Sequence, residues 1–114
     1  MDDMLERANK VFKNLKVFPQ KMHENLELTR GRIMAEAIVT ELTKRGMERQ
    51  KAHEVLRKAS MESLVKNKHL KNVLVKNKEV MKYLSEKELD KLMDYEKYTG
   101  LASKKVREIL KKWR

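Results

Sequence analysis

Apolar residues recur at three- and four-residue intervals along nearly the whole chain, and no stretch alternates at the period of two expected of a half-buried strand. Met4, Leu5, Ala8, Val11, Phe12 and Leu15 form one stripe, which predicts a helix over residues 2–16. Asp2 and Asp3 stand at its start, where the positive end of a helix favours carboxylates. The stripe is already running at residue 1, as in the tail of a longer helix. Pro19 is the only proline. It cannot continue an incoming helix, it biases Phe18 towards extended backbone, and it suits the first turn of a new helix. A break therefore falls at residues 16–19.

Residues 19–45 read as one long helix or two coaxial ones, with Met22, Leu26, Ile33 and Ala37 on one face and Met34, Ile38 and Leu42 beside it. Gly31 costs roughly 1 kcal/mol relative to alanine inside a helix, so it marks a kink or a close helix–helix approach. Lys44 and Arg45 suit a last turn, and Gly46 supplies a left-handed stop. The next helix spans residues 48–66 and turns Ala52, Val55, Leu56, Ala59 and Ser63 inward. Leu70, Val73 and Leu74 mark a short helix, and Val80, Met81 and Leu84 another. Ser85-Glu86-Lys87-Glu88 has the form of a capping box opening a helix with Leu89, Leu92 and Met93. Thr99-Gly100 is a turn, after which Val106, Ile109, Leu110 and Trp113 define a final amphipathic helix. The fold class is all-α: one or two long helices followed by several short ones in a compact array.

Composition narrows this picture. A chain of 114 residues is one domain's worth. Three glycines and one proline argue against a turn-rich all-β protein. There is no cysteine, hence no disulfide framework, thiolate nucleophile or cysteine-ligated zinc. No apolar run approaches the ~18 residues that cross a membrane, and the N-terminus lacks a signal-peptide core. The expectation is an intracellular, cytoplasmic domain.

The net charge of +11 changes the picture more. Lys66, Lys68, Lys71, Lys76, Lys78 and Lys82 cluster with only Glu79 to offset them, and Lys104, Lys105, Lys111, Lys112 and Arg114 close the chain. Such clusters can be the footprint of a polyanion site or simply a solvated face. The solvated face is favoured, because lysine far outnumbers arginine and aromatics do not interleave with the lysines to form a stacking platform. Met22, Met34, Met81 and Met93 lie on apolar faces and read as core filler.

No active site is visible in the residues. His23, His53 and His69 have no partner at metal-ligand spacing, and the helix neighbours His23-Glu24 and His53-Glu54 point apart. Ser60, Ser63, Ser85 and Ser103 occupy helical or capping contexts rather than a nucleophile elbow. Gly31, Gly46 and Gly100 stand alone, so there is no phosphate-binding glycine loop. No catalytic, cofactor-binding or metal-binding residue is assigned.

An ordered succession is more specific than any of this: Val17-Phe18-Pro19, Met22, Asn25-Leu26-Glu27-Leu28-Thr29-Arg30-Gly31, Lys44-Arg45-Gly46, Arg49 and Ala52-His53. It continues through Tyr83-Leu84-Ser85, Asp94-Tyr95 and Tyr98-Thr99-Gly100-Leu101-Ala102. It resembles the C-terminal domain of the adenylosuccinate lyases, in the fumarase/aspartase superfamily, over residues 11 to about 110. The resemblance implies a three-domain, helical, homotetrameric enzyme that eliminates fumarate from adenylosuccinate and from the succinylated carboxamide ribotide of purine synthesis. It implies general acid–base chemistry without a cofactor, with catalytic histidines and a flexible serine-bearing loop in the first two domains. Residues 1–17 then correspond to the end of a central-bundle helix or a linker helix, and 18–114 to the third domain. Glu48 departs from the family pattern, which commonly has a small hydroxyl cap there, and the 66–78 segment is lysine-rich where relatives are often acidic. Thr29, Arg30 and Arg32 sit at the helix interruption, where structural salt bridges are expected rather than substrate contact.

The resulting expectation is an architectural domain that walls an active-site mouth and is inactive alone. Its partners are the rest of the lyase chain and its homo-oligomer. The stripe over residues 4–15 either folds back on residues 18–114 or pairs between copies. The alternative is a standalone basic helical module that binds nucleic acid or another polyanion.

Overall fold

Helical periodicity is realised throughout residues 1–113, which the structure, a computed structural model, describes; Arg114 of the C-terminal basic cluster lies outside them. In order come α1 (Asp2–Lys13), α2 (Pro19–Glu27), a 3-10 turn (Arg32–Met34), α3 (Ala35–Lys44) and α4 (Arg49–Val65). Then follow α5 (Leu70–Leu74), α6 (Lys78–Met81), α7 (Glu86–Leu92), a second 3-10 turn (Tyr95–Tyr98) and α8 (Ala102–Lys112). Among the described residues there is no strand.

The core is made by the middle of the chain. Ile38 and Leu42 from α3, Ala52, Leu56 and Ala59 from α4, Leu70 and Leu74 from α5, Val80 from α6 and Leu89 from α7 are all fully or nearly fully buried. Local signals set their arrangement. Gly46 (φ +99) ends α3 as expected, with the Met47 amide donating to the Leu42 carbonyl at 3.0 Å and the Gly46 amide to Thr43 at 3.0 Å. This paired closure satisfies two orphan carbonyls and folds the buried Met47 under the helix end, so α4 returns against α3. The same device ends α4 with Asn67 in the left-handed position (φ 52) and the Lys68 amide on the Ser63 carbonyl at 3.0 Å. Ser63 is buried, and its hydroxyl donates to the Lys68 carbonyl at 2.6 Å.

Residues 19–45 are not one continuous helix. Arg30 (φ 51) and Gly31 (φ 79) are both left-handed, and the chain restarts through the first 3-10 turn. The two halves of the anticipated stripe part company: Met34, Ile38 and Leu42 are buried, while Met22, Leu26 and Ile33 are exposed. Met22 is therefore not core filler, whereas Met34 and Met93 are. Glu48 precedes α4 without a side-chain cap, as its chemistry suggested.

No residue of α1, α2 or α8 is buried. The α1 stripe does not fold back: Phe12 is 73% exposed and Leu5 63%. Val106, Ile109 and Leu110 of α8 are exposed too. These terminal elements extend the molecule to 59 × 30 × 25 Å with a radius of gyration of 19.5 Å, against about 13 Å for a compact domain near this length.

The capping box at α7 is present, and it is tied to α3. The Ser85 amide donates to Glu88 Oε2 at 2.8 Å, and Glu88 Oε1 lies 2.8 Å from Arg45 Nη1. Arg45 also reaches Glu41 (2.9 Å) and donates to the Tyr83 carbonyl (2.9 Å). The Ser85 backbone and hydroxyl, then Arg45, hold the Glu88 carboxyl at about 2, below its ordinary 4.5. Because the folded-state value is the lower one, the stabilisation from this site is complete above the ordinary value and is lost as pH falls from 4.5 toward about 2. A carboxyl-detected NMR titration is expected to show Glu88 titrating well below the ordinary 4.5, as the Arg57-paired Glu54 also should, and Arg45→Ala should move Glu88 back up. An ordinary Glu88 value in the folded parent would contradict this.

Candidate functional site: the junction at Gly31

Three sequence-distant segments meet where α2 gives way to the core. Leu28 to Gly31 forms the corner. Thr29 Oγ1 accepts from the Ile33 amide at 3.2 Å and so steadies the first 3-10 turn. The Arg30 guanidinium donates to the Asn67 carbonyl, and the Arg30 carbonyl accepts from the Leu70 amide at 2.9 Å. One left-handed corner thus grips the other, Arg30 against Asn67. The salt bridges expected of Arg30 and Arg32 do not form: neither has a carboxylate within 4 Å among the described residues. Arg30 is used to bind a carbonyl instead.

Gly31 is buried, and two side chains crowd it. A Cβ there would stand 2.5 Å from His69 Cε1 and 2.6 Å from the Met93 methyl. Of the two sequence readings for this glycine, kink and close approach, both hold. His69 begins α5: its Nδ1 accepts from the Lys71 amide at 3.3 Å, which leaves the ring proton on Nε2. Nε2 in turn lies 3.6 Å from Glu27 Oε2, at the end of α2. Tyr95 also faces Glu27; burial first, then that carboxylate, push its phenol up to about 12. The sequence gives His69 no partner at metal-ligand spacing, and it does not reveal the residue's capping role or its Glu27 neighbour. A histidine directly before a short apolar run was the local signal; nothing local announced Glu27 or Tyr95.

Beside this junction, between α2 and the Tyr95–Tyr98 turn, lies an open groove of about 600 Å³. Val17, Pro19, Met22 and Leu26 form one side and Tyr95 and Thr99 the other. The surface is mainly apolar, with Asp94 and Glu96 also on its lining. His23 borders it, and among the described residues no three His, Asp or Glu side chains converge as metal ligands.

The lysine-rich 66–82 segment is partly neutralised. Lys66 lies 2.6 Å from Glu62, and Lys71 lies 2.5 Å from Asp90 and 3.9 Å from Glu86. Its remaining cations lie on exposed turns and short helices. Among the described residues, no helix is long and apolar enough to cross a membrane.

Comparison with known proteins supplies what the geometry alone does not. The chain is 48% identical to the adenylosuccinate lyase of Methanocaldococcus jannaschii over 96% of its own length, but over only 24% of that protein. It is 41% identical to the adenylosuccinate lyase of Pyrococcus horikoshii, again over 24% of the relative. Among solved structures, the beta-carboxy-cis,cis-muconate cycloisomerase from Acinetobacter calcoaceticus superposes with a TM-score of 0.80 at 34% identity, covering 95% of this chain and 25% of that one. The chain therefore spans about a quarter of the length of the proteins it matches. Nothing in these comparisons supports the nucleic-acid alternative. The profile of the family "Adenylosuccinate lyase C-terminus" matches residues 31–109, and the chain belongs to that family.

Proposed function

We propose that this chain is the C-terminal domain of an adenylosuccinate lyase, with residues 18–114 forming the domain and residues 1–17 ending a helix of the central bundle. The observation that carries this reading is the coincidence of two facts. The relatives extend far beyond the matched segment, and α1 and α8 present apolar stripes with nothing on them. In this reading the whole cytoplasmic enzyme eliminates fumarate from adenylosuccinate and from the succinylated carboxamide ribotide of purine synthesis. Proton transfer in such an elimination needs acid and base groups held in reach of substrate. In this reading such a set lies in the rest of the lyase chain, and the part of this domain is architectural: it packs on the bundle and walls the mouth of the site. The rest of the lyase chain and its homo-oligomer are its partners, and attraction to nucleic acid is nonspecific. Without those partners, two copies pair through Met4, Leu5, Val11, Phe12 and Leu15.

The test is to extend the reading frame upstream of Met1 in the source DNA, express the extended product beside the 114-residue chain, and assay fumarate release from adenylosuccinate. Activity is expected in the extended product alone. An isolated chain that turns over substrate, a stop codon directly before Met1, or an inactive but folded extended product would overturn the proposal.

A further inference from the structure

Two exposed apolar surfaces of this chain adjoin one another. The first is the α1 stripe. The second is the groove between α2 and the Tyr95–Tyr98 turn, with Met22 and Leu26 on its α2 side. They are continuous: Leu15 ends the stripe, and Val17, two residues on, already lines the groove. Neither is covered by its own copy, since α1 and α2 bury no residue and Phe12, Leu15 and Met22 are all exposed. Their charges are opposite. The chain carries a net +11, yet no lysine or arginine lines the groove, whereas Asp94 and Glu96 do. Asp94 is paired with Lys97 at 3.2 Å, and Glu96 has no ion-pair partner among the described residues. From Arg7 to Lys21 the chain holds no acid, and Lys10, Lys13 and Lys16 accompany the second half of the stripe.

We propose that the α1 stripe of one copy seats in the groove of a second copy, and reciprocally, with Phe12 and Leu15 against Met22 and Leu26 and the α1 lysines beside Glu96. This rests on the reading that copies of the isolated chain pair through the stripe, and it names the surface that the stripe meets. Each copy owns one stripe and one groove. A two-fold axis therefore satisfies both surfaces at once and closes the assembly at two chains. Two stripes facing each other would leave both apolar grooves in water.

Sedimentation equilibrium of variants at exposed positions tests this. The parent is expected to dimerise. Met22→Ser, Leu26→Ser and Phe12→Ala should each raise its dissociation constant at least about tenfold, while the melting temperature of the core stays near the parent value. Glu96→Lys should weaken the dimer too, by reversing the charge that faces the lysines. Ile109→Ser, on the other exposed stripe, should leave it unchanged. Mixing decides the arrangement. The Phe12→Ala chain keeps an intact groove and the Met22→Ser/Leu26→Ser chain an intact stripe, so the mixture should associate more tightly than either chain alone. Groove variants as tight as the parent, with Phe12→Ala monomeric, would overturn the groove contact and leave stripe-to-stripe pairing. A monomeric parent would overturn the pairing reading and this contact together. A mixture no tighter than its components, an unchanged Glu96→Lys dimer, or an Ile109→Ser chain as weak as Phe12→Ala, which would seat α8 in the groove, would each overturn the proposal.

Discussion

Replacing Gly31 with alanine is expected to destabilise the core by about 2–5 kcal/mol, combining roughly 1–2 for a left-handed alanine with roughly 1–3 for overpacking. The first contribution follows from φ +79. The second follows from the site a Cβ would occupy, 2.5 Å from His69 Cε1 and 2.6 Å from the Met93 methyl. Met93 can swing its methyl aside, but His69 is held by its bond to the Lys71 amide, so relief at one neighbour presses on the other. Gly46→Ala is the natural comparison. Its φ of +99 imposes the same kind of strain, but no atom lies within 4 Å of the new methyl. Chemical unfolding of both variants against the parent separates the two effects. The Gly31 variant should lose clearly more than the Gly46 variant, with the dependence on denaturant unchanged. Equal losses would mean that the contact with His69 and Met93 imposes no cost.

What could be read in advance, and what could not, divides along the range of the interactions. The capping box at Ser85–Glu88 and the left-handed stop at Gly46 are completed within a few residues, so their chemistry is written locally. The corner at Leu28–Gly31 is different. Glycine announces that a left-handed residue is tolerated, but Arg30 is also left-handed, held there by bonds to Asn67 and Leu70 from another part of the chain. That one extra residue ends the register in which Ile33 follows Met22 and Leu26, and it is why Ile33 faces solvent while Met34 enters the core. Thr29, Arg30 and Arg32 stand at the interruption as expected, yet Arg30 binds the Asn67 carbonyl in place of a carboxylate, a contact that no pattern of charges encodes. The Glu27–His69–Tyr95 cluster was invisible for the same reason. Periodicity tells which residues share a helix face, but not what that face meets.

Leu42→Ala and Phe12→Ala turn this distinction into opposite outcomes. The two side chains look alike in the sequence, each apolar at helical spacing on a predicted stripe. Leu42 is fully buried, packed in the cluster that α3, α4 and α5 share. Its truncation removes transfer energy and leaves a cavity, for an expected loss of about 2–5 kcal/mol. Against a total of about 5–15 kcal/mol for a domain of this kind, that places the variant near the edge of folding. Phe12 is 73% exposed on α1, so its truncation should change the unfolding free energy of the monomer by less than about 0.5 kcal/mol. If the α1 stripe pairs copies of the isolated chain, the same substitution should shift sedimentation from dimer to monomer, because it removes the largest apolar side chain of that stripe. A stability loss at Phe12 comparable to that at Leu42 would place α1 against the core in solution. A Phe12 variant with unchanged stability and unchanged association would remove the stripe as a contact surface between copies. The expected pair of results, stability lost at Leu42 and association lost at Phe12, separates apolar residues that hold this domain together from those that await another surface.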